Sequence, residues 1–118
     1  MNRINNQIQL IGNLGTEVQF KNLEGGSMVA TCRLATHDFY RNKAGEKVDT
    51  TQWHNLVAWG NTAKNLSQQV AKGQRVAVQG KLVHRSYVDK DGNIKYVSEI
   101  KIGQFMTTQQ VAKEPLPF

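Results

Sequence analysis

The apolar residues of this chain change their period once and then change back. Around "IQLIGNLG", Ile8 and Leu10 fall on one side and Gln7 and Gln9 on the other. That alternation of two belongs to extended strands. In "MVATCRLATHDFYR", Met28, Ala30, Cys32 and Leu34 alternate in the same way, and "VDTTQWHNLVAW" is rich in the Thr, Val and aromatic residues that suit strands. The next stretch, "NTAKNLSQQVAKG", places Ala63, Leu66 and Val70 at i, i+3 and i+7, one stripe on a helix. Then "QRVAVQGKL" returns to alternation, with Val76, Val78 and Leu82 against Arg75, Gln79 and Lys81. The strand runs on through "HRSYV" and comes back as "IKYVSEIKI".

Turn residues mark the joints. "NLEGGS" reads as a turn, and "NKAGEK" as a hairpin loop in which Gly45 takes a positive φ. "DKDGN" is a second hairpin, signalled by Asp91-Gly92. Asn61 or Thr62 is expected to cap the helix, and Gly73 to sit just past its end. The order is three strands, a helix and two strands. The expected fold class is therefore all-β: a five-stranded OB-fold Greek-key barrel with one helix between strands three and four. Other small β-barrels share much of this pattern. A length of 118 residues fits one domain, expected over residues 1–108, with a short C-terminal tail at 109–118 that holds both prolines.

Several chemistries are disfavoured. Cys32 is the single cysteine, so no intrachain disulfide forms, and its neighbours make it a buried strand thiol. His37, His54 and His84 are well separated, and no metal site is expected. The acids are scattered, with Asp89 and Asp91 in a turn where Asp bonds local backbone. No catalytic constellation stands out, so an enzyme is not expected, nor is a cofactor. No apolar run approaches the roughly 20 residues that span a bilayer, and no signal-peptide pattern opens the chain. The expected compartment is the cytoplasm.

The formal charge of +6 favours an anionic partner. Residues 1–60 carry six basic and five acidic groups, and residues 61–118 carry nine and four, so the second half supplies most of the field. Aromatics interleave with these cations. Tyr40 precedes Arg41 and Lys43, and Lys81 and Arg85 precede Tyr87. Trp53 and Trp59 are six positions apart and share a strand face with Asn55 and Val57, while His54, Leu56 and Ala58 share the other. Unpaired bases offer π-faces to such rings, and their phosphates need cations. A strand aromatic also serves as core, although Asn55 argues against deep burial of the whole face. Both readings stand on the residues alone.

At "QWHNLVAWG" the chain resembles the bacterial single-stranded DNA-binding proteins. The resemblance covers about residues 3–106 and runs through "NQIQLIGNLG", "EGGSMVATCRLAT", "TQWHNLVAWG", "VAKGQRVAVQGKL" and "YVDKDGNIKYVSEI". It implies an OB-fold without catalytic activity, assembled as a homotetramer that wraps single-stranded DNA. The implied stacking residues are Tyr40, Trp53, Trp59 and Tyr87, and the implied phosphate contacts are Arg3, Lys43, Lys72 and Arg85. His54 matches a position near a subunit interface, and the sheet surface of His54, Leu56 and Ala58 is where another copy is expected. Pro117 and Phe118 match a C-terminal tip that recruits replication and repair enzymes.

The departures from the family pattern carry expectations of their own. Tyr40 and Tyr87 stand where tryptophan is common, Asn55 and Asn61 where bases are frequent, and Val18 in place of proline. They imply weaker binding or a different site size. The tip "KEPLPF" has one acid, Glu114, offset by Lys113, which implies feeble recruitment. The function implied is coating and protecting exposed single strands during DNA replication, repair and recombination, near the nucleoid and away from membranes. Its rivals are a primosome-type or RNA-binding OB module, and a protein-interaction OB domain.

Overall fold

A computed structural model of the chain describes residues 5–107. Arg3, Pro117, Phe118 and the 109–118 tail lie outside the described residues. The elements are β1 (Ile8–Leu14), β2 (Gln19–Asn22), a 3₁₀ turn at Glu24–Gly26, β3 (Met28–Arg41), β4 (Lys47–Trp59), α1 (Gly60–Gln69), β5 (Arg75–Val88) and β6 (Ile94–Thr107). Neighbouring strands follow the order β1-β5-β6-β4-β3-β2, and β1 also pairs with β3 at Asn13↔Ala35 and Leu14↔Leu34. That second pairing closes β1, β3, β4, β6 and β5 into a five-stranded barrel. All the pairings are antiparallel except β4–β6, which meet in parallel at Leu56↔Ile100 and Val57↔Lys101. This is the expected OB-fold, with α1 between the third and fourth barrel strands. The sequence reading missed β2, a sixth strand of four residues on the outer edge of β3, because it has one buried-face residue, Phe20, and no alternation to display.

The barrel fills with one side of each strand. Leu14, Ala30, Cys32, Leu34, Leu56, Ala58, Val76, Val78, Ile100 and Ile102 form the core, and Ala63, Leu66 and Val70 of α1 plug one end. Ala63 and Leu66 are fully enclosed, so the i, i+3 stripe does what its spacing predicts. The ends of α1 differ from expectation. The helix starts at Gly60, directly off β4, with Trp59 as its N-cap residue and no side-chain cap bond. Neither Asn61 nor Thr62 caps it, because the turn into the helix is made by Gly60 at φ 64. Val70 is the C-cap. Gly73 lies in the following turn at φ 89 and donates its N–H to Leu14 O at 2.8 Å.

The β5–β6 ladder is interrupted at one point. Gln79 pairs with Gln104 but Gly80 pairs with Ile102, so β6 carries an extra residue, Gly103. A Cβ on Gly80 would stand 2.0 Å from Lys101 O, so only glycine fits this bulge. Beyond it Leu82 is exposed, not core as the pattern predicts, because the β5–β6 hairpin leaves the barrel there. The bulge also shifts β6, so that Phe105 joins Ile102 and Ile100 against the core. Burial pushes the Cys32 thiol up to about 12, as befits an interior strand residue.

Candidate nucleic-acid interface

The β3–β4 hairpin decides which side chains share a face. Its ladder is continuous from Val29↔Trp59 to Arg41↔Lys47. One face carries Trp59, Asn55 and Trp53 on β4 with Arg33, His37 and Phe39 on β3. Trp53 and Trp59 are 51% and 46% exposed, and Asn55 between them is exposed. Val57 and Ala35 on the same face are buried, so the exposed rings and Asn55 stand on a closed floor. The opposite face turns inward: Leu56 and Ala58 are barrel core, not a sheet surface awaiting another copy. His54 is half-buried at the end of that inner face, with its Nε2 2.9 Å from Thr36 Oγ1. The sequence grouping of His54, Leu56 and Ala58 was right, but closure of the barrel spends two of them on the core.

Two close neighbours hold Trp53. The guanidinium of Arg33 stands 4.9 Å from its ring centroid, a cation–π contact. Gly15 lies against the ring: a Cβ there would come within 2.2 Å of Trp53 Cζ3. Gly15 donates its N–H to Arg33 O at 2.8 Å, and Thr16 Oγ1 accepts from Arg33 N at 3.1 Å, so the same short loop fixes both ring and cation. Neither Arg33 nor Gly15 was singled out from sequence. Their signal was present but indirect. A loop centred on Ala44 sets the register that brings Arg33 opposite Asn55, two pairs from Trp53 and on the same face.

The arm of the hairpin puts Tyr40 and Phe39 on opposite faces. Tyr40 pairs with Val48, on the reverse of the ribbon, whereas its neighbour Phe39 pairs with Asp49 on the tryptophan face. Both rings are about half exposed. Phe39 also has a cation, Lys47 Nζ, 4.7 Å from its centroid. Lys43 is exposed in the loop at the tip. Lys72 is exposed in the turn after α1, next to Gly73, whose bond to Leu14 ties that turn to the residue before Gly15.

Tyr87 and Arg85 share one face of the β5–β6 hairpin. Arg85 Cζ lies 5.8 Å from the Tyr87 centroid. Arg85 is not a free cation: Nε and Nη2 donate to the two carboxylate oxygens of Glu99 at 2.8 and 3.1 Å. That hydrogen bonding, with the adjacent carboxylate charge, raises the Arg85 pKa further. A cleft of about 650 Å³ opens between this hairpin and the β3–β4 face. Arg33, Asn55 and Thr31 line one wall, Arg85, Tyr87 and Glu99 the other, with Thr16 and Glu17 among the remaining lining residues. The arrangement is a slot of mixed polar and apolar surface with an aromatic edge, beside a ring stacked on a cation. It suits a flat, unpaired, anionic polymer better than a rigid duplex. No helix among the described residues is long and apolar enough to cross a membrane.

Comparison with known proteins agrees with this geometry. The model of the single-strand binding protein family matches residues 5–108. The single-stranded DNA-binding protein 1 of Xylella fastidiosa is 36% identical over 96 residues, covering 80% of this chain and 71% of that one. Its namesake from Chlorobaculum tepidum is 38% identical over 96 residues, covering 80% of this chain and 59% of its own length. Among solved structures, a Plasmodium falciparum SSB in complex with ssDNA superposes with a TM-score of 0.80 at 34% identity, over 86% of this chain and 93% of that one. A deletion mutant of the single-stranded DNA binding protein from Thermus aquaticus gives 0.76 at 25% identity, over 86% of this chain and about half (49%) of that one. With the family model spanning almost the whole described barrel, and relatives more than one third identical over four fifths of its length, the chain belongs to the single-strand binding protein family.

Proposed function

We propose that the protein binds single-stranded DNA without regard to base sequence and coats exposed strands during replication, repair and recombination in the cytoplasm. One observation carries the reading. Three exposed rings, Trp53, Phe39 and Tyr87, each have a cation within 6 Å, and the Tyr87–Arg85 pair lines one open cleft together with Arg33, the cation of Trp53. Stacking on such rings contributes about 1–3 kcal/mol per base and accepts any base. The assigned roles are stacking for Trp53, Trp59 and Tyr87, with Tyr40 serving bases that pass behind the arm. Arg33, Lys43 and Lys72 face phosphates. The Plasmodium falciparum relative, solved in complex with ssDNA, supports single-stranded DNA as the ligand.

The protein also assembles with copies of itself, as a homotetramer. The support is an apolar row on the outside of the barrel: Ile11 on β1 pairs with Ala77 on β5, which pairs with Met106 on β6. Ile11 and Met106 are 49% and 67% exposed. A copy covering this row would remove it from water.

Titration with oligo-dT, oligo-rU and duplex DNA, followed by tryptophan fluorescence, tests the binding reading. Tight quenching by oligo-dT and little by duplex is expected. Preference for oligo-rU would move the protein to RNA, and no response to any of the three would leave a protein-interaction domain.

A further inference from the structure

The Arg85–Glu99 pair sits awkwardly in a phosphate-binding role. The Glu99 side chain is 10% exposed, whereas the Arg85 side chain is 55% exposed. The two meet diagonally across the β5–β6 ladder, in which Arg85 pairs with Val97 and Glu99 with Val83. The contact is fork on fork, with both carboxylate oxygens accepting. It lies in the cleft wall beside the Tyr87 ring, over which the guanidinium is poised.

We propose that Arg85 and Glu99 form a charge-neutral clamp that fixes the Tyr87 ring at the cleft wall, and that Arg85 is not one of the cations that neutralise phosphate. The inference rests on the single-strand reading above. Two arguments carry it. A phosphate that captured Arg85 would strip a nearly enclosed carboxylate of its cation, an outcome that burial makes costly. A phosphate that approached without breaking the pair would meet no net charge, and so would release no counterion on its account. What the guanidinium does offer is a flat cationic surface to the ring two residues along the strand. A tyrosine on an exposed hairpin otherwise samples several rotamers. Glu99 is thereby a positioning residue: it acts on the ring through Arg85 and touches neither base nor phosphate.

The test is a salt series of oligo-dT affinities for the full chain, its Arg85→Gln, Arg85→Lys and Glu99→Gln variants, and the Arg85→Gln/Glu99→Gln double variant. Arg85→Gln and Arg85→Lys are each expected to weaken binding about fivefold, the equivalent of the low end of one stacked base, about 1 kcal/mol. The slope of log K against log salt should not change. Lysine should not rescue, because an ammonium cannot hold the fork. The double variant should bind no more weakly than Arg85→Gln, since the two residues act as one unit. Circular dichroism and a thermal melt establish that each variant is folded, and the Arg85 variants, altered at an exposed side chain, decide the matter if Glu99→Gln does not fold. A slope shallower by about 0.7 in Arg85→Gln, the mark of one lost phosphate contact, with recovery in Arg85→Lys, would overturn the clamp. So would tighter, steeper binding by Glu99→Gln. Failure of the single-strand reading looks different: the unaltered protein itself would ignore oligo-dT.

Discussion

Trp53 shows how much one residue's role depends on its neighbours. A ring at this position could have been core, but it stands half exposed, fixed by contact with Gly15 and Arg33. Trp53→Ala is expected to weaken oligo-dT binding by about 1–3 kcal/mol while leaving the melting temperature close to that of the parent. A large fall in melting temperature with normal binding by the folded fraction would make the ring a core element after all. Cys32 gives the opposite kind of prediction. Burial lifts its thiol from 9.0 to about 12, so the folded state favours the neutral form. Its contribution to stability is fully present below pH 9 and is lost as the pH rises from 9 toward 12. Alkylation by iodoacetamide at pH 8 should be negligible for the native protein and rapid in urea; rapid native labelling would contradict the burial.

At the scale of elements, α1 and the β3–β4 arm make separable contributions. Leu66 of α1 is fully enclosed against the barrel end. Leu66→Ala should cost about 2–5 kcal/mol of unfolding free energy, read as a lower urea midpoint, with oligo-dT affinity of the folded protein unchanged. The arm makes no comparable contribution to the core. Phe39, half exposed on the tryptophan face with Lys47 over its ring, continues the track of rings past Trp53. Phe39→Ala should lower affinity for long oligo-dT more than for short, because a short strand need not reach the arm, and should leave stability unaltered. If Tyr40→Ala has the larger effect instead, the strand runs along the reverse of the ribbon. The element boundaries of this arm were readable from sequence because a loop around Gly45, at φ 82, ends both strands unambiguously. The faces of Phe39 and Tyr40 were not, since a two-residue alternation needs a partner strand to say which side is which.

For the whole molecule, closure of the barrel is what matters. It turns Leu56 and Ala58 inward and leaves Ile11, Ala77 and Met106 as the apolar row that a second copy can cover. Ile11→Lys places a charge in that row. It should shift the sedimenting species from tetramer toward dimer or monomer at micromolar concentration, with the melting curve of the isolated subunit little altered. An unaltered assembly would send the search for the interface to another face. The sequence by itself determined the five barrel strands, the helix between the third and fourth, the stripe of Ala63, Leu66 and Val70, and the pairing of Trp53 with Trp59 on one face. Those features follow from short-range rules: side-chain period, turn residues and β-propensity act within a few residues of chain. Only the tertiary structure decided the rest. The Gly103 bulge that brings Phe105 to the core, the contact of Gly15 with Trp53, the pairing of Arg85 with Glu99 and the burial of Leu56 and Ala58 each join residues distant in sequence. Such contacts depend on how the sheet bends and closes, and no local pattern encodes that geometry.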